Sequence, residues 1–253
     1  MSAGGRAGQL TRWETLRRLQ HDWFYPRRCP FCNRVIGYRE ACERCAPGLE
    51  DLLRLPHRLP PEVHSLENLE EAVSLFQYRE EVRQAIVRMK YQGSPWYARE
   101  LGYELARRLY GCTFNVARGI ITMRLEDLPP PQQELVVSVP SSHPRRGFDS
   151  TALLARTVAE ALGLPYEDKA LRKVRATPPQ ASLSREERLV NVIGSMEAAS
   201  PERLEGKRVL LVDDVITTGA TMTEAARALL QGGALEVYGL SVASAEREER
   251  QNQ

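Results

Sequence analysis

Apolar positions recur along this chain in two spacings, and the alternation between them marks its elements. Leu10, Trp13, Leu16, Leu19 and Trp23 trace one face of a helix that ends before Pro26. A strand is predicted near 72–78, followed by a helix with Val82, Ala85, Ile86 and Met89 on one face and a second helix over 96–109. Ile120, Ile121 and Met123 fit a short strand, and Pro129 to Pro131 a loop. The run Leu135-Val136-Val137-Ser138-Val139 is what a strand buried on both faces requires, and the helix after it should stop at Gly163. A strand near 170–174, a polar segment over 175–191, a buried strand over 207–212, a helix over 221–231 stopped by Gly232-Gly233 and a strand over 236–242 complete the pattern. Strands alternating with helices predict an α/β fold, a mostly parallel Rossmann-like sheet covered on both faces.

Composition narrows the class. The chain has 253 residues, 42% apolar and 27% charged, enough for one sizeable α/β domain with a small appendage. The expected divisions are a tail and helix (1–23), a cysteine module (24–48), a proline-rich linker (49–68), the α/β domain (69–243) and a charged tail (244–253). Module and domain are each expected to have a core of their own. A formal charge of +2 makes no case for nucleic acid, which must rest on local patches. No apolar run reaches eighteen residues, so no membrane insertion is predicted. The N-terminus lacks the pattern of a signal peptide, which leads to an expected cytoplasmic location.

The most legible chemistry follows the strand at 207–212. Asp213-Asp214 is succeeded by Val215-Ile216-Thr217-Thr218-Gly219-Ala220-Thr221 and a helix. Adjacent carboxylates at a strand end can accept hydrogen bonds from the vicinal hydroxyls of a ribose. The small, hydroxylated loop at a helix N-terminus presents N–H groups where a phosphate is favoured, and Gly219 lets backbone come close to it. Together these features recognise a ribose 5-phosphate.

Four of the five cysteines form two CxxC pairs, Cys29/Cys32 and Cys42/Cys45. In a reducing compartment such doubled knuckles aim four thiolates at one point, a closed tetrahedral site suited to structural Zn2+. Trp23, Phe24, Tyr25, Arg27, Arg28, Phe31, Arg34, Tyr38 and Arg39 surround it. Two readings stay open for this neighbourhood: rings and cations that meet single-stranded nucleic acid, or rings packing a small core inside a solvated basic rim.

From Val209 to Thr221 the chain resembles the phosphoribosyl-pyrophosphate (PRPP) signature of type I phosphoribosyltransferases. With Lys90-Tyr91-Gln92-Gly93, Ser138-Val139-Pro140, His143-Pro144-Arg145-Arg146-Gly147-Phe148-Asp149, Thr177-Pro178-Pro179-Gln180, the run from Leu183 to Arg188, Asn191-Val192 and the cysteine pairs, it is similar to the ComF family of competence-associated phosphoribosyltransferase-like proteins. Asp149 stands where Asn is common in that family. The resemblance implies a type I phosphoribosyltransferase fold with an N-terminal zinc ribbon, PRPP bound with Mg2+, and a role in DNA uptake.

It further implies that Asp213, Asp214, Thr217, Thr218, Gly219, Ala220 and Thr221 hold the ribose phosphate, and that Arg145 and Arg146 hold the pyrophosphate. Asp213, Asp214 and Arg185 would be the catalytic set. Residues 175–191 would close over the ligand, with Gln180, Arg185 and Arg188 in contact. A solvated basic turn and a solvated amphipathic helix are the alternatives for the last two segments, and Lys90 reaches either phosphate or its own helix dipole. No cysteine follows Met1 to serve as a glutaminase nucleophile. Two function classes remain: a phosphoribosyl transferase, or a non-catalytic PRPP sensor that engages single-stranded DNA or a DNA-uptake helicase.

Overall fold

The computed structural model describes residues 26–64, 66–92, 95–117, 120–125, 129–141, 149–175 and 191–245. The expected helix over 10–23 and all but the first two residues of the charged tail lie outside them. After the cysteine module come α1 (Ala46–Leu49), a 3-10 turn (Glu50–Leu52), α2 (Pro61–His64) and β1 (Glu71–Gln77). Helices α3 (Glu80–Tyr91) and α4 (Pro95–Tyr110) follow, then β2 (Thr113–Ala117), β3 (Ile120–Arg124), β4 (Leu135–Ser138) and α5 (Ser150–Leu162). The chain continues through β5 (Leu171–Lys173), β6 (Met196–Ala198), α6 (Pro201–Leu204), β7 (Arg208–Ile216), α7 (Ala220–Gln231) and β8 (Glu236–Ser244).

The main sheet has the order β1-β8-β7-β4 with every pairing parallel, as the strand–helix alternation predicts. Period-two alternation sorts its side chains onto two faces. Leu210 and Val212 join Leu75, Leu101, Leu105, Leu154 and Val158 on the face covered by α4 and α5. Val209 and Leu211 join Val137, Ile216, Met222, Ala225, Leu229 and Val237 on the face covered by α7. Helix α5 is capped at its start by the Asp149 carboxylate, which accepts from the Thr151 and Ala152 amides, and ends at Gly163 with φ 69°.

Three details depart from the expectation. The strand near 170–174 does not enter the main sheet: β5 pairs antiparallel with β6 in a separate ribbon. Its side chains explain why, since only Leu171 is buried while Arg172 is exposed, too little apolar surface for an interior strand. Residues 113–117 join the anticipated strand at 120–124 in a hairpin, and most of β2 is solvent-exposed, so it carried little hydrophobic signal. Finally, β7 runs on to Ile216. Asp213 therefore lies within the ladder opposite Ser241, because the β-branched Val215 and Ile216 continue pairing with Ala243 and Ser244.

Between the cysteine module and β1 the backbone is bound to the sheet. Arg54 donates to the Leu75 carbonyl (2.9 Å), Ser74 to His57 (2.9 Å) and Leu59 to Ala72 (2.8 Å). Residues 53–59 thus cover the β1 edge as an antiparallel strap. Among the described residues no helix is long and apolar enough to cross a membrane.

Candidate nucleotide site and metal centre

Strand β7 delivers the two carboxylates to a place where three other elements converge. Lys90, from the last turn of α3, places Nζ 2.7 Å from Asp214 Oδ2. Thr151, in the first turn of α5, donates its hydroxyl to the same oxygen at 3.4 Å. The Asp214 amide donates to Asp213 Oδ1 at 2.8 Å. Burial, and then the neighbouring Asp214 charge, push the Asp213 carboxyl up to about 7, against the pull of Lys90, the Asp214 amide and Lys173. Burial alone would lower Lys90, but Asp214 beside it more than offsets this and holds its ammonium above the ordinary value. Burial lowers Lys173, against the attraction of Asp213 and Asp149. Lys90 is therefore the ion-pair partner of the acidic pair. Thr151 and Lys173 are additions the sequence did not single out. Neither belongs to a motif, and only the fold brings α5 and β5 to the end of β7.

The loop Thr217 to Gly219 leads into α7, with Ala220 and Thr221 in its first turn. Thr218 is buried and its hydroxyl accepts from the Ala220 amide at 3.4 Å. Gly219 sits at φ 83° and ψ −11°, in the left-handed region. A Cβ there would meet the His64 carbonyl oxygen at 1.7 Å, so α2 is the neighbour that Gly219 admits. His64 Nδ1 lies 3.0 Å from the Thr217 carbonyl. The first amides of α7 have no intrahelical acceptors, the arrangement that favours an anion. Arg145, Arg146, Gln180, Arg185 and Arg188 lie outside the described residues.

In the cysteine module the ligand atoms of Cys29, Cys32, Cys42 and Cys45 all lie within 4.8 Å of one another, and Cys32 Sγ is 3.6 Å from Cys42 Sγ. Tetrahedral zinc at a Zn–S distance of about 2.3 Å needs sulfurs about 3.8 Å apart, so this set fits it. Each knuckle is held by its own backbone. Cys29 donates to Arg34 O and Asn33 to Cys29 O (2.8 Å each), with Asn33 at φ 62°, and Ala46 donates to Cys42 O at 2.8 Å. Burial and the adjacent sulfurs hold the Cys29 thiol well above its usual value and push Cys45 up to about 11. A coordinated cation reverses this, since thiols that bind metal are deprotonated. One zinc per chain is expected by elemental analysis, lost in Cys29→Ser; full zinc content in that variant would refute the assignment.

Arg27 is not a rim cation, contrary to the sequence expectation. It is 5% exposed and grips Glu100 of α4 bidentately at 2.6 and 2.7 Å, while its third nitrogen donates to the Gly37 and Arg39 carbonyls at 2.9 Å each. Arg88 of α3 donates to Pro30 O and Phe31 O (2.8 and 2.6 Å), and Tyr97 to Asn33 Oδ1 (2.7 Å). Phe31, Cys45 and Leu49 pack into the apolar cluster under α4 and α5. The module and the α/β domain therefore share a core, where separate ones were expected. The exposed residues of the module include Arg28, Arg34, Arg39, Arg44 and Tyr38, together with Val35, Glu40 and Glu43, and Arg39 pairs with Glu43 at 3.2 Å.

Comparisons with known proteins bear on both halves of this arrangement. Residues 149–251 match the phosphoribosyl transferase domain family. DNA utilization protein YhgH of Salmonella typhi is 31% identical over 219 residues, 83% of this chain and 80% of the relative. Competence protein F of Haemophilus influenzae is 32% identical over 219 residues, 84% of this chain and 89% of that protein. The chain belongs to the competence protein F family. Among solved structures, the Bacillus subtilis glutamine PRPP amidotransferase complexed with ADP and GMP is 27% identical, with a TM-score of 0.37 over 59% of this chain and 26% of that one. Both relatives align over a length that exceeds the phosphoribosyl transferase domain, so the likeness extends well upstream of Asp149. The fold is that of a phosphoribosyltransferase with a four-cysteine N-terminal module.

Proposed function

We propose that this chain binds PRPP with Mg2+ and acts in the cytoplasm in the uptake or use of DNA, transferring the phosphoribosyl group to an acceptor. The observation that carries this reading is the acidic pair held by Lys90 and Thr151 directly before the α7 loop. The Asp213 and Asp214 oxygens accept from the ribose hydroxyls, and the amides of 218–221 receive the 5-phosphate. Lys90 holds the Asp214 carboxyl in position through their 2.7 Å contact. The acidic pair then faces a ribose whose C1 becomes positive as pyrophosphate leaves. Mg2+ would supply charge neutralisation on the pyrophosphate. Arg145, Arg146, Gln180, Arg185 and Arg188 are assigned here to the pyrophosphate side and its closure. The competence and DNA-utilization wording of the relatives' names supports the physiological half of the reading.

Calorimetric titration with PRPP and Mg2+ tests it. Asp213→Asn/Asp214→Asn is expected to lose about 2–4 kcal/mol of binding free energy; equal affinity for both proteins would end the reading. Asp213→Asn carries a second signature. A carboxyl whose folded pKa is raised to about 7 destabilises the native state progressively as pH rises from the unfolded value to that point. The variant should therefore melt at about the wild-type temperature near pH 4 and increasingly above it up to pH 7, with a constant gap beyond. Pyrophosphate release from PRPP with and without acceptors, DNA included, distinguishes transfer from sensing.

The exposed Arg28, Arg34, Arg39, Arg44 and Tyr38 favour a second reading, in which the module of a non-catalytic PRPP sensor meets single-stranded DNA or a DNA-uptake helicase. Strand binding should weaken with salt, and Arg28→Ala/Arg34→Ala should flatten that slope by up to about 1.4 units. No strand binding at low salt would leave PRPP recognition standing alone.

A further inference from the structure

His64 touches the phosphate loop across 153 residues of sequence. It is 1% exposed, and the apolar side chains on either side of α2, Leu59 and Leu66, pack in the cluster that contains Ile216 and Met222. Apolar packing alone would favour a leucine at this place, since a buried imidazole must be compensated by hydrogen bonds. The bond it makes is specific. A carbonyl oxygen only accepts, so the Nδ1 atom 3.0 Å from Thr217 O carries the proton.

That bond has a directional consequence. The peptide joining Thr217 to Thr218 is planar and trans, so its N–H points opposite to its C=O. Holding Thr217 O against His64 turns the Thr218 amide to the side away from α2. The next residue, Gly219, is locked in the left-handed region with the His64 carbonyl against its Cα, and α7 starts immediately after it. The two faces of the loop are thereby divided: carbonyl 217 and the bare Cα of Gly219 meet α2, and the Thr218 amide lies on the opposite side.

We propose that His64 is a positioning residue for the phosphate loop, clamping the Thr217 carbonyl so that the loop amides are aimed at a phosphomonoester, the 5-phosphate of a ribose. This rests on the PRPP reading of the loop given above. It also makes the strap part of the site, because α2 is held in place by residues 53–59 bound along β1.

The test compares wild type with His64→Asn, His64→Ala and His64→Leu. Asparagine carries an N–H donor on Cγ, where histidine carries Nδ1; alanine leaves a cavity and leucine fills it, so misfolding of one is separable from loss of the clamp. Amide exchange over 217–221 is measured without ligand, and PRPP, ribose 5-phosphate and pyrophosphate are titrated. The alanine and leucine variants should exchange faster in this loop and bind PRPP and ribose 5-phosphate about tenfold more weakly, the worth of one hydrogen bond. Pyrophosphate affinity and zinc content should hold, and asparagine should restore both exchange and affinity. Unchanged loop exchange in alanine and leucine, or asparagine behaving like leucine, would overturn the clamp. So would a parallel loss of pyrophosphate binding. If wild type binds neither PRPP nor ribose 5-phosphate, the PRPP reading fails, while the exchange comparison still decides whether His64 orders the loop.

Discussion

Gly219→Ala is expected to weaken PRPP binding by at least about a hundredfold, or about 3 kcal/mol, and to destabilise the fold as well. Two independent costs add. At φ 83° an L-residue pays about 1–2 kcal/mol for the left-handed conformation. The new Cβ would also stand 1.7 Å from the His64 carbonyl oxygen and 2.9 Å from its carbon. Both are backbone atoms, so no side-chain tip can swing aside, and either α2 or the start of α7 must move. Gly163 supplies the control. It has φ 69° at the end of α5, but a Cβ there meets nothing within 4 Å, so Gly163→Ala pays the conformational cost alone. Chemical denaturation and calorimetry on the two variants separate the effects. A Gly219→Ala protein no less stable than Gly163→Ala, with wild-type PRPP affinity, would contradict the packing described at α2.

Removing Arg27 is expected to cost about 3–5 kcal/mol, the loss typical of one partner taken from a buried ion pair. Arg27→Ala strands the Glu100 carboxylate inside the protein, frees the Gly37 and Arg39 carbonyls, and empties the space over the rings of Phe114 and Tyr103, 5.1 and 5.8 Å from the guanidinium carbon. Even in the wild type, burial outweighs the pull of Arg27 and holds Glu100 above its ordinary carboxylate value. Without Arg27 that rise increases. Because stability is lost as pH climbs through a raised folded pKa, the damage should be smaller at pH 5 than at pH 8. The exposed Arg28→Ala should stay within about 0.5 kcal/mol of wild type. Equilibrium denaturation at both pH values reads the result, and Arg27→Ala behaving like Arg28→Ala would remove the docking role.

The parts of this structure that could be read from the sequence are those set by local chemistry. Val209 to Val212 and Leu135 to Val139 had to be buried strands because every side chain in them is small and apolar or nearly so. The four cysteines declared their geometry by spacing, and Gly163 its helix end. What escaped depends on tertiary company. Arg27 and Arg28 are adjacent and chemically identical; one is interior and the other solvated, because only one of them faces Glu100, 73 residues away. Lys90 gave no sign of choosing Asp214 over a phosphate or its own helix terminus. Nothing local to Gly219 announces that the atom against its Cα belongs to α2. His64 lies in a proline-rich stretch without periodicity, and nothing local marks it as a neighbour of Thr217.

The strand order β1-β8-β7-β4 has a consequence for how the chain is made. Its two central strands are the last to be synthesised, and both flanking strands emerge long before them. At a ribosomal rate of about 5–20 residues per second, β1 waits on the order of ten seconds for β8. During that interval its apolar surface would be open to chaperones and to other nascent chains. The strap is the partner available at once. Residues 53–59 leave the exit tunnel just ahead of β1 and bind the edge opposite to the one β8 will occupy. A chain arrested before Arg208 would therefore hold a strapped first strand and a complete set of four thiols, but no sheet centre to dock them on.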